Sequence, residues 1–257
     1  MTPIVVFTFI WMSASLAVFG VALFPYYALA TPARLRTFLR QVSAIVAAAA
    51  VAAIAQHIDV IGTTLAQMAA TGLGHIWATQ FVIAVLLVIS AWRGPNLLTV
   101  LLAGAELIGF AFVGHANAIS GNTGATLQAL HLLAAGGWLG GVIALAYTLR
   151  EPNAAGAVTR FSWAGLAFVA VIGVTGMVIL FTNTGALLPI TQMRYGQLAL
   201  TKIVLFAATL ACAAFNRFVA TPRANWGAMA RVITGELALL IVIIAAAVLL
   251  AQNEPYG

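Results

Sequence analysis

Four imidazoles carry most of the chemistry this 257-residue chain can do: His57, His75, His115 and His131. Neutral imidazole is the commonest protein ligand for transition metals and suits Cu, Zn, Fe and Ni. His57-Ile58-Asp59 sets a carboxylate beside the first imidazole, with Gln67 and Met68 farther along and His75 after them. His115 stands in Gly114-His115-Ala116-Asn117, and His131 shares a helical spacing with Gln128, Ala135 and Trp138. Two further ionisable groups, Glu106 and Lys202, lie deep in apolar runs. The single cysteine, Cys212, excludes an intrachain disulfide and any cysteine-cluster metal site.

The elements that must hold these groups are membrane helices. The chain is 63% hydrophobic and only 6% charged, where a soluble domain carries about 25% charged residues, so lipid is the solvent for most of its surface. Eight apolar runs, near 4–30, 42–58, 75–92, 97–114, 125–149, 161–183, 196–219 and 232–251, are long enough to cross a bilayer. Turn residues separate them: Thr31-Pro32, Arg93-Gly94-Pro95-Asn96 and Thr221-Pro222-Arg223. The stretch from Gly62 to Gly74 has room for a short interfacial segment.

The expected fold is therefore an all-α polytopic membrane protein of about eight transmembrane helices, forming one bundle over residues 1–257. No Lys or Arg precedes the first run, which argues against a cleavable signal peptide. Arg34, Arg36, Arg40, Arg93, Arg150, Arg160, Arg217, Arg223 and Arg231 fall at the odd-numbered connections, and only Arg194 and Lys202 fall elsewhere. The positive-inside rule makes that face cytoplasmic and both termini extracytoplasmic. The net charge of +6 thus has a topological cause and requires no nucleic acid.

This topology puts all four histidines on or toward the outer face. His131 falls about 9 Å inside its helix if the helix starts near Ala125, and Glu106 and Lys202 lie about 9–12 Å deep. Ionisable groups at such depth are functional candidates. The three could meet, either as a Glu106–Lys202 ion pair that holds the bundle together or as a polar cluster beneath an outward-facing metal site, with Gln128 beside it. Toward the cytoplasmic ends, where Asn216 also lies, Glu236 suits a structural salt bridge with nearby Arg217, Arg223 or Arg231, and Cys212 suits either packing or a soft ligand for Cu(I). Gly136 and Gly140, with Gly137 and Gly141, give two overlapping GxxxG spacings that admit a close helix neighbour.

The blocks Gly114-His115-Ala116 and His131-Leu132-Leu133-Ala134-Ala135, leading into Trp138-Leu139-Gly140-Gly141, resemble the copper resistance D membrane family. Arg160-Phe161-Ser162 with Thr175-Gly176 is similar to that family's sixth helix. Tyr195-Gly196-Gln197-Leu198 followed by Lys202 is similar to its seventh helix, Glu236 to the start of its eighth, and Gly20-Val21-Ala22-Leu23-Phe24 to its N-terminal region. The resemblance implies a multi-pass protein of the bacterial inner membrane that moves or handles copper, beside a periplasmic copper-binding protein as possible partner. It does not identify ligands.

The leading expectation is a copper permease receiving the ion at the outer face. Its metal ligands would come from His57, Asp59, His75, His115 and His131, with Met68 auxiliary and Glu106, Gln128 and Lys202 along the pathway or in a buried polar cluster. A b-type haem electron carrier with one outer bis-His haem is the alternative cofactor reading, and copper delivery without transport is a third. The chain lacks P-loop, GxSxG and HExxH motifs, so transport would be passive or ion-coupled, and the expectation is a transporter or delivery protein rather than an enzyme.

Overall fold

The computed structural model describes residues 3–113, 115–151, 154–185 and 194–253. Among these residues the chain is helical and contains no strand. The helices are α1 (Pro3–Ala28), α2 (Arg34–Ile61), α3 (Leu65–Ala69), α4 (Gly72–Ala91), α5 (Leu97–Val113), α6 (His115–Thr148), α7 (Ala154–Thr184), α8 (Arg194–Phe215) and α9 (Trp226–Leu250). A π-helical turn, Asn216–Ala220, extends α8.

Seven of these helices are long and apolar enough to cross a membrane. The eighth, α5, has 17 residues and meets the lower limit for a crossing. It packs against α1, α4 and α6. The expected eight-span, all-α architecture is therefore the observed one. The Gly62–Gly74 stretch forms α3, whose start is fixed by a capping box: Thr64 accepts from the Gln67 backbone N–H and the Gln67 side chain accepts from the Thr64 N–H.

Several helices start earlier than their apolar runs, and the largest difference is at α6. The helix read as starting near Ala125 begins at His115 and breaks at Gly121, whose backbone (φ 55°, ψ −141°) is accessible to glycine and strained for other residues. The connection before it is thus a helical arm. Asn117 secures the arm by donating from Nδ2 to the Phe112 carbonyl at 2.9 Å.

Side-chain contacts collect the basic residues at one end, as the charge pattern requires. Arg40 donates to the Trp92 carbonyl at 2.6 and 3.1 Å, joining the first turns of α2 to the α4–α5 connection. Arg160 reaches the Ala28 carbonyl at 3.4 Å. Arg217 donates to the Ser162 carbonyl at 3.0 Å and to its hydroxyl at 2.9 Å, tying the end of α8 to the start of α7.

The core centres on α1, which packs on α2, α5, α6, α7 and α9. The GxxxG spacing finds its partner here: a Cβ on Gly20 would collide with the Gly136 carbonyl, and one on Gly140 with the Gly20 and Val21 backbone. Gly137 and Gly141 instead accommodate the rings of Phe168 and Phe161, with the Tyr27 hydroxyl also against Gly141.

Candidate functional site

The bundle is least closed between α7 and α8. Helix α8 rests along α9, and a cleft separates it from α7. Each end of the cleft is fastened by polar contacts. At the basic end the fastening is Arg217 on Ser162, with the guanidinium 4.3 Å from the centre of the Trp163 ring. At the opposite end Asn183 Nδ2 donates to the Tyr195 hydroxyl at 3.0 Å.

Two cavities lie between these fastenings. The one toward the basic end, about 430 Å³, is lined by Trp138, Asn216, Arg217, Met229 and Glu236 among others. The Trp138 indole faces the Glu236 carboxylate, and Asn216 Oδ1 is buried without a partner. The other cavity, about 240 Å³, is lined by His131, Met177, Tyr195 and Lys202 within an aliphatic wall. Trp138 of the first and Phe206 of the second meet edge to face at 5.8 Å and separate the two.

His131 is positioned by α7. Gly176 leaves room for its ring, since a Cβ there would lie 3.4 Å from the imidazole Cε1. Nδ1 stands 3.0 Å from Thr175 Oγ1. The Thr175 hydroxyl proton goes to the Val171 carbonyl at 2.6 Å, and a hydroxyl has one proton to give. Thr175 Oγ1 therefore accepts from Nδ1–H, which makes Nε2 the unprotonated nitrogen of a neutral imidazole that lines the cavity. A hydrogen-bonded second nitrogen is how ligating histidines are held in a metal-ready tautomer.

Lys202 shares this cavity, with no hydrogen-bond or ion-pair partner among the described residues. No Asp or Glu lines it there either. The Met177 thioether adds a soft donor, and His and Met together suit Cu(I). The sequence marks His131 and Lys202 as candidates and Thr175 and Tyr195 only as parts of blocks that resemble the family, with no role attached. Met177 and Asn183 sit in an apolar helix or at its end, without a motif to mark them.

The structure separates the remaining candidates. Glu106 does not line the His131–Lys202 cavity: fully buried on α5, it receives Gln80 Nε2 of α4 at 3.4 Å on Oε2, and the same amide reaches the Glu106 carbonyl at 3.3 Å. Its Oε1 has no partner, and neither do the buried Trp11 Nε1 and Ser15 Oγ of α1. Trp11 touches Phe110 of α5, and Phe19 lies against Gly104, so the α1–α5 register places Ser15 at the level of Glu106. Glu106 and the His131–Lys202 pair thus belong to two polar sites, because α5 packs on α1, α4 and α6 whereas Lys202 stands on α8, which rests along α9.

His57 stacks edge-on against Trp77 at 4.5 Å on the α2–α4 seam, away from the α6–α7 seam that holds His131. His75 and Asp59 are exposed, and Gln128 is half-buried. The side chain of His115 falls outside the described residues. Among the described residues no three His, Cys, Asp or Glu side chains converge on one point, so a metal held in the His131 cavity would rest on His131 with Met177 and non-protein ligands. Met68, read as auxiliary, is buried under Thr71, whose hydroxyl lies 3.6 Å from its sulfur.

Comparison with known proteins agrees with this architecture. The profile of copper resistance protein D matches residues 155–250, and that of the copper resistance protein D-like N-terminal domain matches residues 1–125. Inner membrane protein YebZ of Escherichia coli (strain K12) is 35% identical over 168 residues, covering 60% of this chain and 57% of that protein. Copper resistance protein D of Pseudomonas syringae pv. tomato is 32% identical over 140 residues, 49% of this chain and 45% of that protein. Copper transport protein CutJ of Bacillus subtilis (strain 168) is 32% identical over 201 residues, 71% of this chain and 37% of that protein. The chain thus spans about half the length of these curated relatives or less. No solved structure matches it.

Proposed function

The chain belongs to the copper resistance D family of multi-pass inner-membrane proteins, and from that premise we propose that it takes up copper at the histidine end of the bundle and passes it across the membrane through the α7–α8 cleft. The observation that carries this reading is His131, a membrane-embedded imidazole held through Nδ1 by Thr175 and lining the cavity that Met177 also lines. The basic end faces the cytoplasm by the positive-inside rule, which sets the His131 cavity toward the periplasm. A periplasmic copper-binding protein is the partner that would supply the ion there.

The route would run from His131 past the Trp138–Phe206 contact to the cavity of Asn216, Met229 and Glu236. On this route the ion would pass from imidazole and thioether donors on the outer side of the aromatic partition to a thioether, an amide and a carboxylate on the inner side. The sequence carries no nucleotide-binding motif, so the flux would follow the copper gradient or a coupled ion.

Copper uptake into proteoliposomes tests this directly. The wild type should accumulate copper above empty vesicles, and His131→Ala should lower the initial rate at least about tenfold, one ligand of few being worth about 1.4 kcal/mol or more. A folded His131→Ala variant with undiminished uptake would overturn the route. Copper retained by the wild type without accumulation in vesicles would favour delivery over transport.

A further inference from the structure

The His131 cavity has an unusual balance of charge for a metal site. Its described lining includes a lysine and an imidazole but no carboxylate, and the Lys202 ammonium has no partner among the described residues. A bare copper cation placed on His131 would face that ammonium across an apolar cavity of about 240 Å³, where repulsion between like charges is screened far less than in water. A buried ammonium without a counter-charge is itself unfavourable within a membrane. One ligand class resolves both difficulties: a metal that arrives with its own anion.

We propose that this cavity takes Cu(I) together with a monovalent halide-type anion, His131 Nε2 binding the metal and Lys202 pairing with the anion. The inference rests on the copper reading of the same cavity and adds the substrate's chemical form. Copper and anion together are neutral and suit an aliphatic wall, and the two protein groups receive complementary ends of the pair. Met177 on the same wall provides a third, soft contact to the metal. Of the groups lining this cavity from α6, α7, α8 and α9, only His131, Lys202 and Tyr195 are titratable, so no other described charge competes for the anion.

The test uses the full chain in detergent, anaerobic and reduced, with free Cu(I) held constant by a competing chelator. The wild type should bind Cu(I) about tenfold more tightly in bromide than in nitrate, a difference of about 1.4 kcal/mol. X-ray absorption at the copper edge should show a bromide neighbour. Lys202→Gln should lose both the salt dependence and the bromide signal, and Lys202→Arg should retain them. Equal affinity in the two salts, with a shell of only nitrogen and sulfur that His131→Ala abolishes, would overturn the inference and leave the copper reading standing. A bromide shell that persists in Lys202→Gln would also overturn it. Copper binding indifferent to His131→Ala would instead remove the copper reading on which the inference rests. The wild-type measurements decide the matter even if the Lys202 variants fail to fold.

Discussion

The α1–α6 seam and the α7–α8 seam are built on opposite plans. Along the first, glycines bring two backbones into contact at Gly20, Gly136 and Gly140, and 61% of the most apolar window of α6 is buried in the protein. Along the second, large side chains and two cavities hold the helices apart, and 11% of the corresponding window of the α8 span is buried. In a bilayer there is no hydrophobic gain in bringing helices together, so close packing has to come from small residues and gaps persist where they are lacking. The first seam is thus suited to holding a fixed frame. The second is suited to admitting a guest.

The strongest way to break this contrast is to spoil the tight seam. Gly140→Leu sets a side chain against the Gly20 and Val21 backbone, which has no rotamer to yield. It should destabilise the bundle by about 3 kcal/mol, read as an early unfolding midpoint in a detergent titration. A midpoint near wild type would mean that α1 and α6 are not in contact at this level.

The buried polar site on α5 offers the next largest effect. Glu106→Leu removes one of the two acceptors of the Gln80 amide, which is itself 2% exposed, and leaves it the residue-106 carbonyl; one buried N–H left unmatched costs about 1–3 kcal/mol. Copper retention at His131 should be unchanged, because the two sites lie on different seams. A folded Glu106→Leu protein that no longer retains copper would join the two regions into one pathway, as the sequence alone had allowed.

That ambiguity shows where sequence was informative. The apolar runs, the basic connections and the GxxxG spacing follow from periodicity and from the placement of charge, both of which depend on single helices, and the structure agrees with each. Which buried polar residue meets which depends on helix rotation and neighbour order, and spacing along one helix does not encode these. Glu106 could be assigned a depth but not a partner, since the single Gln80 within an apolar helix carries no motif. His131 could be marked as costly and therefore functional, whereas Thr175 stands out only as part of a family-like block, and nothing in the sequence says that its hydroxyl sets the His131 tautomer. The helical arm before Gly121 was likewise missed, because a polar stretch at a membrane surface reads as a loop whatever its backbone does.

The cleft's outer fastening should be weaker than either of these. Tyr195→Phe deletes the hydroxyl that accepts from Asn183 and should lower stability by about 1 kcal/mol. Its sharper signature is geometric: spin labels on the outer ends of α7 and α8 should report a broader distance distribution than in the wild type, while a label pair across α1 and α6 should not change. Equal broadening of both pairs would mean that the bundle loosens as a whole.

The smallest expected effect completes the comparison. Gly173 lines the His131 cavity, and a Cβ built on it meets nothing within 4 Å. Gly173→Ala replaces a poor helix former with a good one, a change of about 1 kcal/mol or less in favour of the helix, at a position with space for the methyl group. The unfolding midpoint should hold or rise slightly, the reverse of the Gly140→Leu result, although both glycines occupy apolar helices. The added methyl narrows the cavity, so copper uptake should fall more than stability changes. A clear loss of stability would show that α8 closes onto α7 at this level, and the cleft would then be too narrow to serve as a route.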